Sequence, residues 1–319
     1  MKNISIIDTT ISDYNLGNQI IMESIDKIVY ELFREYFVFK IQYAEKFGKQ
    51  SLNYIKESEY TLFGGTNSLS SQMNRYKQMG FNLSDIRYVQ NLILIGVGWW
   101  QYQDKPNLYT KIMLKGLLSS KYLHSVRDTY TQQQLASINI KNSLNTCCPT
   151  TWGLSKEHCE SIPREKAKSV IVTLTDYNKG YEQDRKLIQL LIKSYEKVYF
   201  WIQGIDDKSY FEKLKILPNK KFYFINPNLK DYDEILKNED LDYIGTRLHA
   251  GIRALQYKKR TLIISIDNRA KEISADINLI IADRNSGLDN VEAFINGTVI
   301  TKLNIPLDNI NQWKSQFLC

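Results

Sequence analysis

The chain is poor in the residues that build disulfide frameworks and metal sites, with four cysteines and three histidines among 319 residues. Cys147 and Cys148 are adjacent, Cys159 follows His158, and Cys319 is the last residue. No Cys-x-x-Cys pair occurs, so reduced thiols are expected and no metal site. Any imidazole catalysis must draw on His124, His158 or His249. No apolar run reaches the roughly 18–20 residues of a membrane helix. The opening MKNISIIDTT lacks the charged start and long apolar centre of a signal peptide. A soluble, cytoplasmic protein is the expectation.

A net charge of +7 favours anionic partners. The lysines are dispersed, apart from Lys258-Lys259-Arg260, and no basic stripe with interleaved aromatics appears, so nucleic acid is not expected. The basic triplet reads as a solvated helix end, or as contact with the inner face of a membrane if the acceptor is lipid-linked. Twenty-one tyrosines and five tryptophans suit sugar-stacking surfaces and equally suit a core.

The length favours two domains. In the first half, Ile4–Ile7 reads as a buried strand ending at Asp8. Ile21, Ile25, Ile28, Val29, Leu32 and Tyr36 then mark one face of a helix. Apolar runs Tyr60–Phe63 and Leu92–Ile95 stop at Gly64-Gly65 and Gly96-Val97-Gly98. Strand, glycine turn and helix in succession describe a parallel sheet with crossover helices. Between about Thr131 and Lys168 the apolar runs thin out, and Pro149, Gly153 and Pro163 appear, which places a domain boundary there.

The second half alternates strands at 169–174, 197–202, 221–225, 241–244 and 261–266, and a last one near 277–281. Helices lie near 182–195, 208–216, 231–237 and 249–257. The expected fold is α/β, with two doubly wound Rossmann-like domains at 1–150 and 151–319 and the tail, with Trp313 and Phe317, returning to the first. Ligands of such sheets lie beyond the carboxyl ends of the strands, and two facing sheets place a cleft between the domains.

The most informative stretch is Tyr243-Ile244-Gly245-Thr246-Arg247-Leu248-His249-Ala250. A strand ends, Gly245 permits a tight turn, and a helix opens near His249. Backbone N–H groups at a helix start favour an anion, and Arg247 adds a planar charge suited to phosphate or carboxylate. His249 beside that charge is expected to be largely neutral near pH 7, as a general base requires. The bland alternative is an arginine paired with a core carboxylate and a histidine at a helix cap. Asp206-Asp207 reads as a solvated helix cap, and His158 as structural.

The Gly245–Ala250 stretch, with Ala254-Leu255, Thr261–Ile264 and Asp267–Lys271, resembles the signature of the polysaccharide pyruvyl transferase family. Asn15-Leu16-Gly17-Asn18 resembles the family's opening loop, Leu62–Gly65 and Ile95–Gly98 its glycine turns, and Val126-Arg127-Asp128 its Val-Arg-Asp motif. The resemblance implies a GT-B-like arrangement and transfer of a pyruvyl group from phosphoenolpyruvate to a sugar as a ketal, with no cofactor. It implies catalytic roles for His249 and Arg247. Donor contacts are implied for Arg127, Leu248, Gly245, Gly64, Gly65, Asn67 and Lys271, and acceptor contacts for Asn15, Asn18 and Trp99. Trp99-Trp100 also suits core packing, and Gly64–Asn67 also reads as a plain strand-to-helix turn.

Three positions depart from the family pattern. Asn18 stands where the loop usually ends in aspartate, Thr173-Leu174-Thr175-Asp176 lacks the common arginine, and Cys147-Cys148-Pro149 replaces an Asp-Pro pattern. Arg253 and Arg269 are the candidates to supply the missing charge. The alternative reading is a glycosyltransferase with a nucleotide-sugar or sugar-phosphate donor; a third is a non-catalytic binding module.

Overall fold

A computed structural model describes residues 2–43, 46–216 and 220–318. Cys319 lies outside them. The chain divides into two compact units. One holds the residues up to Asp13, Ile21–Trp152 and those from Ile305 on; the other holds Tyr14–Ile20 and Gly153–Asn304.

In the first unit, β1 (Asn3–Asp8), α1 (Leu16–Leu32), β2 (Phe37–Gln42), α2 (Lys49–Glu57), β3 (Tyr60–Gly64) and β4 (Leu92–Ile95) follow one another. α3 (Leu108–Leu117), β5 (His124–Val126), α4 (Thr129–Ser137) and β6 (Ser143–Asn145) come next. The first turn of α1 counts with the second unit. The four-stranded sheet has the order β2-β1-β3-β4, all parallel. Ile4, Ile6 and Ile7 of the central β1 are fully buried, as a strand covered on both faces requires. β5 and β6 form a parallel pair, and Gly96 N donates to Ser125 O at 3.0 Å, which ties it to the end of β4. The edge strand β2 and the three-residue β5 and β6 were not foreseen from the sequence. The predicted face of α1 is buried at Ile21, Ile25, Ile28 and Val29.

The second unit runs through α5 (Lys156–Glu160), β7 (Ser169–Val172), α6 (Tyr181–Ser194), β8 (Lys197–Trp201), α7 (Asp207–Lys213) and β9 (Phe222–Ile225). It continues with α8 (Leu229–Asn238), β10 (Leu241–Gly245), α9 (Leu248–Gln256), β11 (Thr261–Ser265), α10 (Asn268–Ile277), β12 (Ile281–Asp283) and α11 (Asp289–Asn296). α12 (Leu307–Ser315) counts with the first unit.

The six strands are parallel in the order β12-β11-β10-β7-β8-β9. The chain reverses its direction of travel across the sheet between β7 and β10, so the crevice for a ligand lies beyond their carboxyl ends. α10 was not foreseen, and the last strand sits at Ile281–Asp283 rather than near 277–281. Residues 268–277 are helical because Asp267 caps them, accepting from Arg269 N, and Ala270, Ile273 and Ile277 turn inward.

Candidate functional site

Gly245 ends β10 close against Thr173, the residue after β7. A side chain there would meet Thr173 Oγ1, N and O at 2.6, 2.7 and 2.8 Å. With none, the two strand ends join: Thr246 N donates to Thr173 O at 2.9 Å, and the hydroxyls of Thr175 and Thr246 lie 2.8 Å apart. Tyr243 Oη contacts Thr173 Oγ1 at 2.5 Å and donates to Arg247 O at 2.7 Å. This threonine and tyrosine lacing sets the entry into α9, with Leu248 as its first residue and His249 as its second. Both are buried. The arginine–leucine–histidine box therefore stands at the switch point of the sheet, on a helix start whose dipole favours an anion.

Arg247 differs from the open cation expected of it. It is 5 % exposed. Its Nε donates to Leu174 O at 3.0 Å, and one terminal nitrogen donates to Asp176 Oδ1 at 2.7 Å and also bonds Asp207. Its guanidinium carbon lies over the ring of Tyr177, 5.5 Å from the ring centre. Two carboxylates already answer its charge, which is the alternative of an arginine paired with core carboxylates.

Asp207 is the residue that sequence reasoning missed. It is fully buried rather than a solvated cap, and it accepts from the backbone N–H groups of Gln203 and Gly204 at 3.1 and 2.7 Å. Burial pushes its carboxyl above the ordinary carboxylate range, against the pull of Arg247. The signal was available, because Asp207 shares one helical face with Tyr210, Phe211 and Leu214, all buried.

Neither reserve cation is open. Arg253 forms a two-bonded pair with Asp233 at 2.9 and 2.5 Å. Arg269 bonds Asp267 at about 3 Å and also bonds Tyr177. Lys271, expected at the donor, sits on α10 paired with Asp283 at 2.6 Å.

Asn15, expected on the acceptor side, lies in the second unit. Its Oδ1 accepts from Gln203 Nε2 at 2.7 Å and from Gly17 N at 3.0 Å. Asn18 N donates to Asn15 O at 3.0 Å. The opening loop thus docks on the turn that presents Asp207.

In the first unit, Gly64 ends β3 and Gly65 follows it at φ +64°. Arg127, 1 % exposed, follows β5, bonds Asn67 and lies 3.5 Å from Asp128. Gly98 leaves the space that its guanidinium fills. Asn67 and Arg127 are therefore brought together. Trp99 is fully buried, with Nε1 3.3 Å from Ser71 Oγ and Gln103 Oε1. It is core, and its expected stacking on an acceptor is withdrawn.

His124 is buried. Its Nδ1 lies 3.3 Å from Leu94 N and its Nε2 2.9 Å from Ser119 O, and burial holds its pKa at about 4. His158 Nε2 bonds Leu255 O at 2.7 Å. The basic triplet forms no patch, because Arg260 is buried on Asp242 and Lys259 bonds Glu239 O at 2.8 Å. Among the described residues there is no histidine, cysteine and carboxylate cluster that could hold a metal ion. No helix among them is long and apolar enough to cross a membrane.

Residues 15–268 match the family model for polysaccharide pyruvyl transferase. No curated protein matches the chain. Among solved structures, it is similar to the S. aureus MnaA–UDP co-structure at 12 % identity and a TM-score of 0.59, covering 98 % of this chain and 91 % of that one. It is also similar to Methanocaldococcus jannaschii UDP-GlcNAc 2-epimerase in complex with UDP-GlcNAc and UDP. That match has 11 % identity and a TM-score of 0.56, covering 96 % of this chain and 95 % of that one. These likenesses show the fold class: Rossmann-like α/β units of the GT-B kind.

Proposed function

We propose that this chain, which belongs to the polysaccharide pyruvyl transferase family, moves a pyruvyl group from phosphoenolpyruvate onto two hydroxyls of a sugar in cell-surface polysaccharide assembly. The observation that carries this reading is the coincidence of the family's arginine–leucine–histidine box with the switch point of the β7–β10 sheet. Fold physics puts a ligand at that point and the α9 start favours an anion there, as a donor bearing a phosphate and a carboxylate needs.

The chemistry balances without a redox partner. Two hydroxyl oxygens bond the donor's central carbon and the bond to the phosphate oxygen breaks. The methylene carbon takes one proton and becomes methyl; the second hydroxyl proton leaves with the phosphate. His249 is assigned the proton transfers and the backbone N–H groups of the α9 start the donor's charges, with Arg247 joining them where the donor displaces the more exposed of its two carboxylates, Asp176. A sugar carried on a lipid is the proposed acceptor.

A second reading keeps the fold and changes the donor to a nucleotide sugar. The favouring feature is that the Thr173–Asp176 stretch lacks the arginine common in the family, a clamp that a donor bearing both a phosphate and a carboxylate would need. The similar fold in structures with UDP fits it too. Calorimetric titration with phosphoenolpyruvate and with a panel of UDP-sugars separates the two. Binding of phosphoenolpyruvate, competed by inorganic phosphate and weakened in Arg247→Ala, supports the first; binding of UDP-sugars alone supports the second.

A further inference from the structure

The rim of the first unit beyond the carboxyl ends of β3 and β4 carries side chains that neither the core nor the proposed reaction uses. Residues 71–77 and 99–107 meet there and lead into α3. Asn107 Nδ2 donates to Asn74 Oδ1 at 2.8 Å, Ser71 Oγ donates to Asp104 O at 2.5 Å, and the rings of Tyr76 and Trp100 lie 4.7 Å apart. Tyr76, Tyr102, Leu108 and Ile112 face outward, with Leu108 71 % and Ile112 50 % exposed. The last two are four residues apart and share one side of α3. The other side of that helix, at Met113, Leu114 and Leu117, is in the core.

Cations surround this apolar centre: Arg75, Lys77, Lys105, Lys111 and Lys115. None of them takes part in an ion pair among the described residues. From Tyr60 to Arg127 the sequence has eight lysines and arginines against two acids, Asp85 and Asp104, and Asp85 is buried.

We infer that this face docks the protein on a membrane surface rich in anionic phospholipid. Tyrosine and tryptophan suit the headgroup layer, Leu108 and Ile112 reach toward the acyl chains, and the lysines meet lipid phosphates. A second copy of the chain fits the face less well, because two-fold pairing sets the same five cations against each other. The inference is independent of the donor and the reaction, so its failure leaves the proposed function standing.

The test is sedimentation of the full chain with phosphatidylcholine vesicles, with and without phosphatidylglycerol. Binding is expected to require phosphatidylglycerol and to fall with added salt. Combining Lys105→Gln, Lys111→Gln and Lys115→Gln should weaken it on the order of 100-fold, at roughly fivefold per charge. Leu108→Ser with Ile112→Ser should weaken it by at least about tenfold. These side chains lie on the surface, so thermal melts should stay at the wild-type value. No binding to phosphatidylglycerol vesicles, or binding that both variants leave unchanged, overturns the inference. So does a wild-type dimer that Leu108→Ser with Ile112→Ser converts to a monomer, since the face is then a subunit contact.

Discussion

Asp207, fully buried at the start of α7, bonds the same terminal nitrogen of Arg247 that bonds Asp176 at 2.7 Å. The two carboxylates are not equivalent. Asp207 is anchored by two backbone N–H groups and sealed from water, whereas the Asp176 side chain is 24 % exposed on the loop after β7. One fixes the guanidinium; the other is the partner that solvent reaches, and in the reading proposed above the one a donor anion would displace.

Removing the fixed partner should cost stability. Asp207→Ala leaves Arg247 buried with only Asp176 to answer its charge, and breaking a buried pair costs about 3–5 kcal/mol. Urea unfolding should show a loss near the lower figure, because Asp176 remains.

Removing the exposed partner should help the donor. Asp176→Asn lifts a competing negative charge from Arg247 and keeps the loop's shape. Calorimetry should show phosphoenolpyruvate binding tightened about tenfold, the scale of one charge-assisted hydrogen bond. A weakened affinity would give Asp176 a direct role in binding instead.

Acid should unfold the protein partly through His124. Its pKa is about 4 when folded and 6.5 when free, so the unfolded chain takes up the proton first as pH falls. This contribution is intact above about pH 6.5 and is lost toward pH 4, by about 3 kcal/mol. Urea midpoints measured across that range should fall more steeply in the wild type than in His124→Gln.

Gly245→Ala tests the close approach of the end of β10 to Thr173, the residue after β7. The new methyl would stand 2.6–2.8 Å from three atoms of Thr173, two of them backbone, so the strands must part. A loss of about 1–3 kcal/mol in unfolding free energy is expected.

The first five strands of the second unit and helices α6 to α9 were legible because long apolar runs and three- and four-residue spacings repeat there. The short β5 and β6 carry too few residues for a period to register, and β2 is an edge strand whose Phe37 and Val38 stay exposed. The Gly245–His249 stretch was legible as a helix start after a strand. The ion pairs of Arg247 were not, since its partners lie 71 and 40 residues away in sequence. Trp99 was misread because a tryptophan after a glycine turn looks the same in sequence whether it stacks on a sugar or fills a core.

The central claim is tested most directly by turnover with labelled phosphoenolpyruvate and a lipid-linked sugar acceptor, in the wild type and in His249→Ala. The wild type should release phosphate only when acceptor is present and leave a pyruvyl ketal on the sugar. His249→Ala should slow that turnover on the order of 10²–10⁴-fold while phosphoenolpyruvate affinity stays close to wild type. Folded His249→Ala that turns over at the wild-type rate would contradict the account.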